Sequence, residues 1–396
     1  MKKSSKKPAF IFVSMLIIVF VLSAACFKKQ DRDITGAGEP VFTLSGRVID
    51  IDNGRVVKDA VVWIESLGII DTVDAEGNYS LTGIKVGNRV VTVTAPLYAK
   101  KNTEIEFKYE NQDVVNDMNM LKALIVEDKF QVPIKSLSGI WCEDNRLYVS
   151  SYDSTGGFIY KLDENLNIVR TSSHFGTLET EPWLWRVDTC FWKDDSCYAF
   201  MDPDSIFEPD SLKIDSIFVN PEQRLFGLAK IGDYLYAGDG MGIFIKKKYI
   251  PLTSFHFFVV DPNTLELVDT IRFSLFAFGY IRYQIINDLA WDGQAIWLNN
   301  RMEHNFPKIR MDTFTAQSIL PAPNASPTGI AYDGKYIWMM TTTKLYQLER
   351  NMTVRNRYAF FDFYLYQIAW DGEHIWALEP AMQRIYKLSF PFEDHL

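Results

Sequence analysis

Short runs of alternating apolar and polar residues begin at Val41 and continue toward the C-terminus. Such alternation places one face of a strand on a core and the other in water, and glycine, asparagine and aspartate separate the runs. Between residues 41 and 110 the pattern predicts a small antiparallel β-sandwich. Its predicted strands lie in the stretches FTLSGRVID, AVVWIES, GIIDTV, NYSLTGI, NRVVTVTAP and NTEIEF.

Further along the chain, one twelve-residue pattern occurs six times. Each copy places an apolar residue ahead of a polar turn and an aromatic residue after it. In three copies the turn contains Asp-Gly, a pair that tolerates the type I′ geometry of a tight hairpin. The copies span residues 139–150, 189–200, 227–238, 288–299, 329–340 and 367–378.

These repeats predict the blades of a β-propeller over residues 118–396. A third and a fourth strand follow the hairpins, and a period of about 40 residues is typical of propeller blades. The last copy leaves room for only three strands. We expect the lone strand at residues 120–130 to supply the fourth and close the ring, because an open edge exposes unpaired amides. The predicted fold class is therefore all-β, a small antiparallel sandwich plus a six-bladed propeller closed by an N-terminal strand.

The N-terminal 25 residues have the layout of a bacterial export signal, four lysines followed by a mostly apolar stretch. The segment LSAAC at residues 22–26 resembles the lipobox of bacterial lipoproteins. This resemblance implies that Cys26 is lipidated and that the protein is lipid-anchored to a membrane of the cell envelope. The residues that follow Cys26 are mostly polar, with two glycines and one proline, so residues 26–40 are predicted to form a flexible tether. The alternative is an uncleaved apolar anchor with an incidental cysteine. Both interpretations place the remaining chain outside the cytoplasm.

Four segments of the predicted sandwich resemble the carboxypeptidase regulatory-like domain, a transthyretin-like fold. They are Ser45–Val48, Asp59–Val62, Asp74–Leu81 and Val90–Val93. The resemblance implies a non-catalytic accessory module. In the third segment, glycine supplies a turn position with positive φ and the following tyrosine returns to the core.

Charge and cysteine content narrow the range of partners. Of 41 basic residues, four lie in the export signal, which leaves 37 against 50 acidic residues. This balance argues against nucleic acid as a partner. Beyond Cys26, three cysteines without Cys-x-x-Cys spacing form neither a disulfide framework nor a zinc site. We expect a monomer.

The longest insertions fall on one face of the predicted propeller, at residues 201–216, 238–254 and 274–288. Loops on a rigid scaffold often carry function. Polar and aromatic residues at the start of the innermost strands should surround the mouth of the central channel, where they would suit a small polar ligand, a peptide or a partner protein. The alternative is that Asp188 and Asn287 tie loop amides to neighbouring blades. The candidates are Trp185, Arg186, Asp188, Asn287, Asp288, Tyr366 and Gln367.

The repeated aromatic residues could form a sugar-stacking surface, but their constant register favours packing between blades. They are Trp291, Tyr332 and Trp370 on the first strands, and Trp297, Trp338 and Trp376 on the second strands.

Two further features leave alternatives open. Cys190 and Cys197 face each other if Lys193-Asp194 forms a two-residue turn, so they are either a cross-strand disulfide or two buried thiols. The acidic segment at residues 202–210 is either a calcium loop or a solvated insertion.

No catalytic motif accompanies the repeats. The sequence has no His-x-His, His-Glu-x-x-His or Gly-x-Ser-x-Gly pattern, so we predict no catalytic residue, metal or cofactor. The predicted function is binding or scaffolding on the loop-rich face. The alternative is an enzyme, because the repeat register loosely resembles the propellers of glutaminyl cyclotransferases and lactonase-like hydrolases. Their sites lie at the channel mouth, and this resemblance transfers no residue.

Overall fold

A computed structural model describes the chain from Val41 to Pro391 with internal gaps. The described ranges are 41–108, 113–144, 146–153, 156–175, 185–193, 196–206, 217–218, 224–240, 242–245, 248–251, 254–274, 286–301, 303–323, 326–360 and 364–391. The expected export signal, Cys26 and the tether lie outside these ranges. Within them, no helix has the length and hydropathy needed to cross a membrane.

Eight strands form the N-terminal sandwich, in two sheets of order β4-β1-β7, with β8 also on β1, and β3-β2-β5-β6. The strands are β1 (Val41–Asp50), β2 (Val61–Ile64), β3 (Ile69–Thr72), β4 (Asn78–Lys85), β5 (Gly87–Thr94), β6 (Lys101–Phe107), β7 (Asp113–Val115) and β8 (Met118–Met120), with a 3₁₀ helix at Glu65–Leu67.

Alternating residues of both sheets fill the core of the sandwich, as the sequence pattern predicted. In β4, Tyr79 and Leu81 are buried while their neighbours are exposed. The turn before β4 has the expected geometry: the Asp74 carboxylate accepts two backbone N–H bonds, and Gly77 has φ +83°. The sandwich sheet continues to Met120, ten residues beyond the end that the sequence indicated, because the short strands β7 and β8 pair in parallel with β1.

The remaining chain is built from hairpins. Their strands are β9 (Lys122–Ala123), β10 (Ile125–Gln131), β11 (Leu137–Glu143), β12 (Arg146–Asp153), β13 (Gly156–Leu162), β14 (Ile168–Thr171), β15 (Trp185–Lys193), β16 (Ser196–Ile206), β17 (Ile217–Phe218), β18 (Arg224–Ile231), β19 (Tyr234–Gly240), β20 (Gly242–Ile245), β21 (Lys248–Pro251), β22 (Ser254–Val260), β23 (Leu267–Ser274), β24 (Ile286–Trp291), β25 (Ala295–Asn300), β26 (Asn305–Arg310), β27 (Ala316–Pro321), β28 (Gly329–Tyr332), β29 (Ile337–Met340), β30 (Lys344–Leu348), β31 (Val354–Ala359), β32 (Ile368–Trp370), β33 (Ile375–Glu379) and β34 (Arg384–Ser389), with a 3₁₀ helix at Pro380–Met382.

Five sheets built on four-stranded blades are arranged as a ring, in which each innermost strand packs against the innermost strands of its two neighbours. We name them blade A (β11–β14), blade B (β18, β19, β22 and β23), blade C (β24–β27), blade D (β28–β31) and blade E (β32–β34 with β10). The all-β class, the sandwich and the propeller are thus confirmed.

The structure corrects the predicted number of blades: among the described residues, five of the six repeats form four-stranded blades of the ring, not six. The second repeat forms a two-stranded hairpin, β15 with β16, and β17, β20 and β21 form a separate small sheet. Blade A packs directly on blade B, where Leu225 lies against Gly157 and a Cβ on Gly139 would lie 2.8 Å from the Gly227 Cα. The glycines permit this approach.

Strand β10 closes the ring, as predicted. It pairs antiparallel with β34, the last strand within the described ranges, from Ile125↔Ser389 to Gln131↔Arg384. Just before it, β9 pairs in parallel with β31 and adds a fifth strand to blade D. The segment between sandwich and propeller therefore belongs to both blade D and blade E.

The three Asp-Gly hairpins differ from the type I′ turns that the sequence suggested. Only the glycines have positive φ, at +87° in Gly293, +98° in Gly334 and +106° in Gly372. A type I′ turn needs positive φ at both central residues, whereas glycine at the first central position indicates a type II′ turn. The aspartate therefore precedes the central pair, and its carboxylate is free to bind the turn.

Each of these aspartates also holds the aromatic residue of its repeat. The indole Nε1 of Trp297, Trp338 and Trp376 donates to the carboxylate five residues earlier, at 2.8, 2.7 and 2.7 Å. Trp297 and Trp338 are fully buried, and Trp338 stacks on Trp370 of the next blade. The aromatic residues therefore pack between blades, which confirms the structural interpretation.

Candidate functional site

The innermost strands of blades C, D and E meet at the Asp288 carboxylate. Asp288 is fully buried, and its Oδ1 accepts a bond from the Leu289 amide at 3.0 Å. Its Oδ2 accepts bonds from the amides of Ile330 in blade D, at 3.0 Å, and Ile368 in blade E, at 3.3 Å. Burial raises the pKa of Asp288 well above its usual value, while the three amides act in the opposite direction. As placed, this side chain ties three blades together.

Gln367 and Asn287 form a second tie at the same end of the ring. The Gln367 side-chain amide donates to the backbone oxygen of Asn287 at 3.2 Å, which joins blade E to blade C. Thr328 lies between them in sequence and donates to the Leu365 oxygen at 3.2 Å. All three polar residues are buried. At this end of the ring, the described polar residues of blades C, D and E are therefore buried and connect the blades.

Several buried amide atoms at this end of blades C and E have no hydrogen-bond partner within the described ranges. Both side-chain polar atoms of Asn299 are in this state, as are Oδ1 of Asn305 and Oε1 of Gln367. Asn299 is paired with Asp288 across β24 and β25. Because a buried polar atom without a partner costs about 1–3 kcal/mol, a polar molecule that reached Asn299 would be stabilised there.

A more open surface lies beside these buried residues. Tyr366 is half-buried, and the Arg301 guanidinium carbon lies 5.9 Å from its ring centroid, within cation–π range. Tyr364 is 65% exposed. Tyrosine and arginine are enriched among the residues that dominate binding at protein interfaces. We call the surface formed by Arg301, Tyr364 and Tyr366 the rim.

The other three candidate residues lie on a different strand. Trp185, Arg186 and Asp188 belong to β15, whose side chains lie outside the described part of the structure; its backbone pairs with β16. The structure therefore brings together Asn287, Asp288 and Gln367, with Tyr366 beside them. The role of Trp185, Arg186 and Asp188 in ligand binding remains a prediction.

Sequence reasoning missed Thr328, Asn299 and Arg301. Thr328 directly precedes a repeat copy, and Asn299 is the last residue of one, two positions after Trp297. Their alignment with other copies could have identified the positions. Nothing in the sequence indicated that Arg301 would stack on a tyrosine 65 residues later.

The opposite end of the ring carries the Asp-Gly turns, where hydrogen bonds and an ion pair hold the turn aspartates. The Asp292 carboxylate accepts bonds from the Trp297 indole and from Lys308 Nζ at 3.2 Å. Burial opposes its ionisation, but these bonds and those from two turn amides lower its pKa overall. His374 lies between two carboxylates, with Nε2 3.2 Å from Glu127 of β10 and Nδ1 3.3 Å from Asp371. These contacts support the hairpins and the closing strand.

The structure describes some of the residues for which a disulfide or a calcium site was considered. Within β15 and β16, Cys190 pairs with Ala199 and Cys197 with Trp192, so the two cysteines are not directly opposite as the assumed turn would make them. Cys142 is a buried free thiol, and burial raises its pKa to about 12. Among the described residues, no three His, Cys, Asp or Glu side chains are grouped as metal ligands would be. Glu208 and Asp210 of the acidic segment lie outside them.

Comparison with known proteins identifies the sandwich. Residues 43–120 match the family model of the carboxypeptidase regulatory-like domain. This range coincides with β1–β8 and confirms the resemblance on which the sandwich was predicted. No curated protein matches the chain at a significant level.

Solved structures similar to the chain are propeller-like. Glutaminyl cyclase of Myxococcus xanthus has 10% identity and a TM-score of 0.42, covering 67% of this chain and 95% of that one. BamB from Moraxella catarrhalis has 11% identity and a TM-score of 0.31, covering 87% and 85%. Similarity at this level assigns neither an activity nor a site residue to this chain.

Proposed function

We propose that this protein is a lipid-anchored, extracytoplasmic binding or scaffold protein that uses the loop-rich face of its propeller. Its ligand is a peptide or partner protein, or a small polar molecule. The observation that carries the proposal is the rim, where the Arg301 guanidinium lies near the Tyr366 ring and Tyr364 is exposed, beside buried side chains that connect blades C, D and E. An aromatic and cationic rim beside these buried residues suits a partner that lies across the face.

Photo-crosslinking in the cells that make the protein tests this surface. A benzoylphenylalanine at Tyr364 should give a discrete covalent adduct, and Arg301→Glu in the same chain should abolish it. The matched control is the same probe at Ile70, which is 66% exposed on the sandwich. Absence of an adduct from position 364, or equal adducts from both positions, would reject binding of a macromolecule at the rim.

The buried side-chain amide of Asn299 tests the other possibility in the proposal, that the ligand is a small polar molecule. Asn299→Leu retains side-chain size and removes both unpartnered atoms. If the ligand is a small polar molecule, native mass spectrometry of the full chain isolated from its cells should show a bound species that Asn299→Leu loses. The exposed Asn263→Leu, on a turn in blade B, should retain it. Retention in both variants would remove Asn299 from the site.

The lipid anchor is part of the proposal and is tested separately. Cells fed radiolabelled palmitate should label the wild-type protein, and Cys26→Ser should lose both the label and cleavage after Ala25. An unlabelled wild-type chain that keeps its first 25 residues would support the uncleaved apolar anchor instead.

A further inference from the structure

The segment that joins sandwich and propeller has no free linker. The Leu121 oxygen accepts the Ala99 amide at 2.8 Å, and the Ala123 amide donates to the Leu97 oxygen at 3.0 Å. One residue later, the Leu124 amide donates to the Ala359 oxygen of blade D at 3.0 Å. Backbone bonds to the sandwich and to the propeller therefore follow one another within four residues, which leaves no flexible stretch between the two modules.

A buried polar network lies at the same junction. Lys122 is 2% exposed, and its Nζ donates to Asn356 Oδ1 of blade D at 2.8 Å. The Asp50 carboxylate of the sandwich, 1% exposed, lies 4.0 Å from that Nζ and accepts the Tyr98 hydroxyl at 3.0 Å. Asn356 continues the network by donating to Gln347 at 2.7 Å. A buried charge needs its partners in place, so the network penalises any separation of sandwich and blade D.

A second ion pair fixes the angle between the two modules. The Asp52 carboxylate accepts the backbone amide of Arg357 at 2.8 Å and its Nε at 2.6 Å. The Asp52 side chain is 2% exposed. Asp52 is bound directly by blade D, and Asp50 is linked to blade D through Lys122 and Asn356, so two separate buried carboxylates restrict rotation as well as separation.

The direction of β1 determines where the N-terminal segment enters. Asp50, at the end of β1, contacts the propeller side, whereas Val41 begins the strand and is exposed. At about 3.3 Å per residue, the ten-residue strand spans about 30 Å. The chain that precedes Val41 therefore joins the sandwich at the end away from blade D.

We propose that the sandwich functions as a rigid spacer, locked to blade D through Asp50, Asp52 and Lys122. It holds the propeller at a fixed angle and at least the length of β1 from the point where the N-terminal segment enters. This role does not depend on which ligand the rim binds.

Pulsed electron spin resonance on the full chain tests the spacer, with spin-labelled noncanonical residues at Ile70 on the sandwich and Met382 on blade E, both exposed. The wild-type distance distribution should have one narrow peak, and Lys122→Met should broaden it at least twofold. The matched control is Lys344→Met, which removes one positive charge from the same blade at a half-buried position and should leave the peak narrow. A broad wild-type distribution, or a narrow one in Lys122→Met, would overturn the proposal.

Hydrogen exchange of the wild-type protein needs no variant. The amides of Ala99, Ala123 and Leu124 should exchange as slowly as those in the centre of β29. Exchange at least a hundredfold faster than in β29 would show that the junction opens independently and would likewise overturn the proposal.

Discussion

Replacing Asp288 by alanine removes an acceptor that three blades share. Three buried amides, those of Leu289, Ile330 and Ile368, then lose their partner. Each such amide costs about 1–3 kcal/mol, and part of this cost is offset because the folded state no longer buries a carboxylate. We therefore expect Asp288→Ala to lower the free energy of unfolding by about 3–5 kcal/mol.

Denaturant titration with linear extrapolation measures this loss, and an unchanged slope would show that the same transition is being compared. The control is Asp269→Ala, an exposed carboxylate whose bond goes to the adjacent Thr270 amide. We expect it to change stability by less than about 0.5 kcal/mol. Equal effects of the two substitutions would refute the role of Asp288 as a tie between blades.

The pH dependence of Asp288 has a definite sign. Burial raises its pKa in the folded state above the unfolded value, so its contribution to stability is present below about pH 4 and declines as pH rises through the folded pKa. The stability of the wild type relative to Asp288→Asn should therefore fall as pH increases above about 4. A relative stability that rises with pH would mean that the three amides outweigh burial.

Three further predictions concern the blades. Trp338→Phe removes the 2.7 Å bond from the indole to Asp333 and should cost about 1.5–3 kcal/mol, with most of this loss absent in an Asp333→Ala background when a double-mutant cycle is measured. Phe130→Ala removes a half-buried ring stacked 6.0 Å from Trp376 and should speed hydrogen exchange in β34 more than in β29, because it loosens the closing strand. Cys142, a buried thiol with a pKa raised to about 12, should resist iodoacetamide at pH 8 until the protein is denatured, as mass spectrometry of the modified peptide would show; rapid modification of the folded chain would contradict its burial.

Local patterns predicted the parts of this fold that local physics determines. The alternation of apolar and polar residues predicted β4, and the repeated aromatic residues predicted the hairpins. Because the last repeat lacks a fourth strand, the sequence also predicted that the segment containing β10 completes it. The Asp-Gly pairs were recognised as turns, but their type depended on the aspartate side chain. That side chain binds the turn amides and the tryptophan five residues later, and it moves the glycine to the first central position.

Contacts between distant segments were beyond the sequence pattern. The contact between blade A and blade B depends on the close approach of Gly139 to Gly227. The sequence does not reveal this contact, because a glycine in a strand is equally consistent with a turn, a bulge or a close approach. Strands β7 and β8, of three residues each, are too short to show a period. Lys122 carries a charge that indicates exposure, and its burial depends on partners in both modules.

The candidate site shows the same limit. Asp288 was selected as a candidate ligand contact because the sequence pattern placed it at the start of an innermost strand. The structure confirms this position for Asp288. Its acceptor role depends on amides 42 and 80 residues later in the chain, and no spacing within the sequence reveals them. The structure therefore moves the proposed contact surface from the centre of the mouth outward to Arg301, Tyr364 and Tyr366.

The assignment of faces depends on the ring being closed by β10 on β34, and a disulfide across that pair tests it most directly. Asp128 and Lys387 are opposite each other, so their Cα atoms lie within bridging range, whereas Arg384 is three residues further along β34, about 10 Å away. In oxidising buffer, Asp128→Cys with Lys387→Cys should form an intramolecular bridge that mass spectrometry detects, and Asp128→Cys with Arg384→Cys should not. A bridge in neither variant, or equally in both, would contradict closure of the propeller by its N-terminal strand.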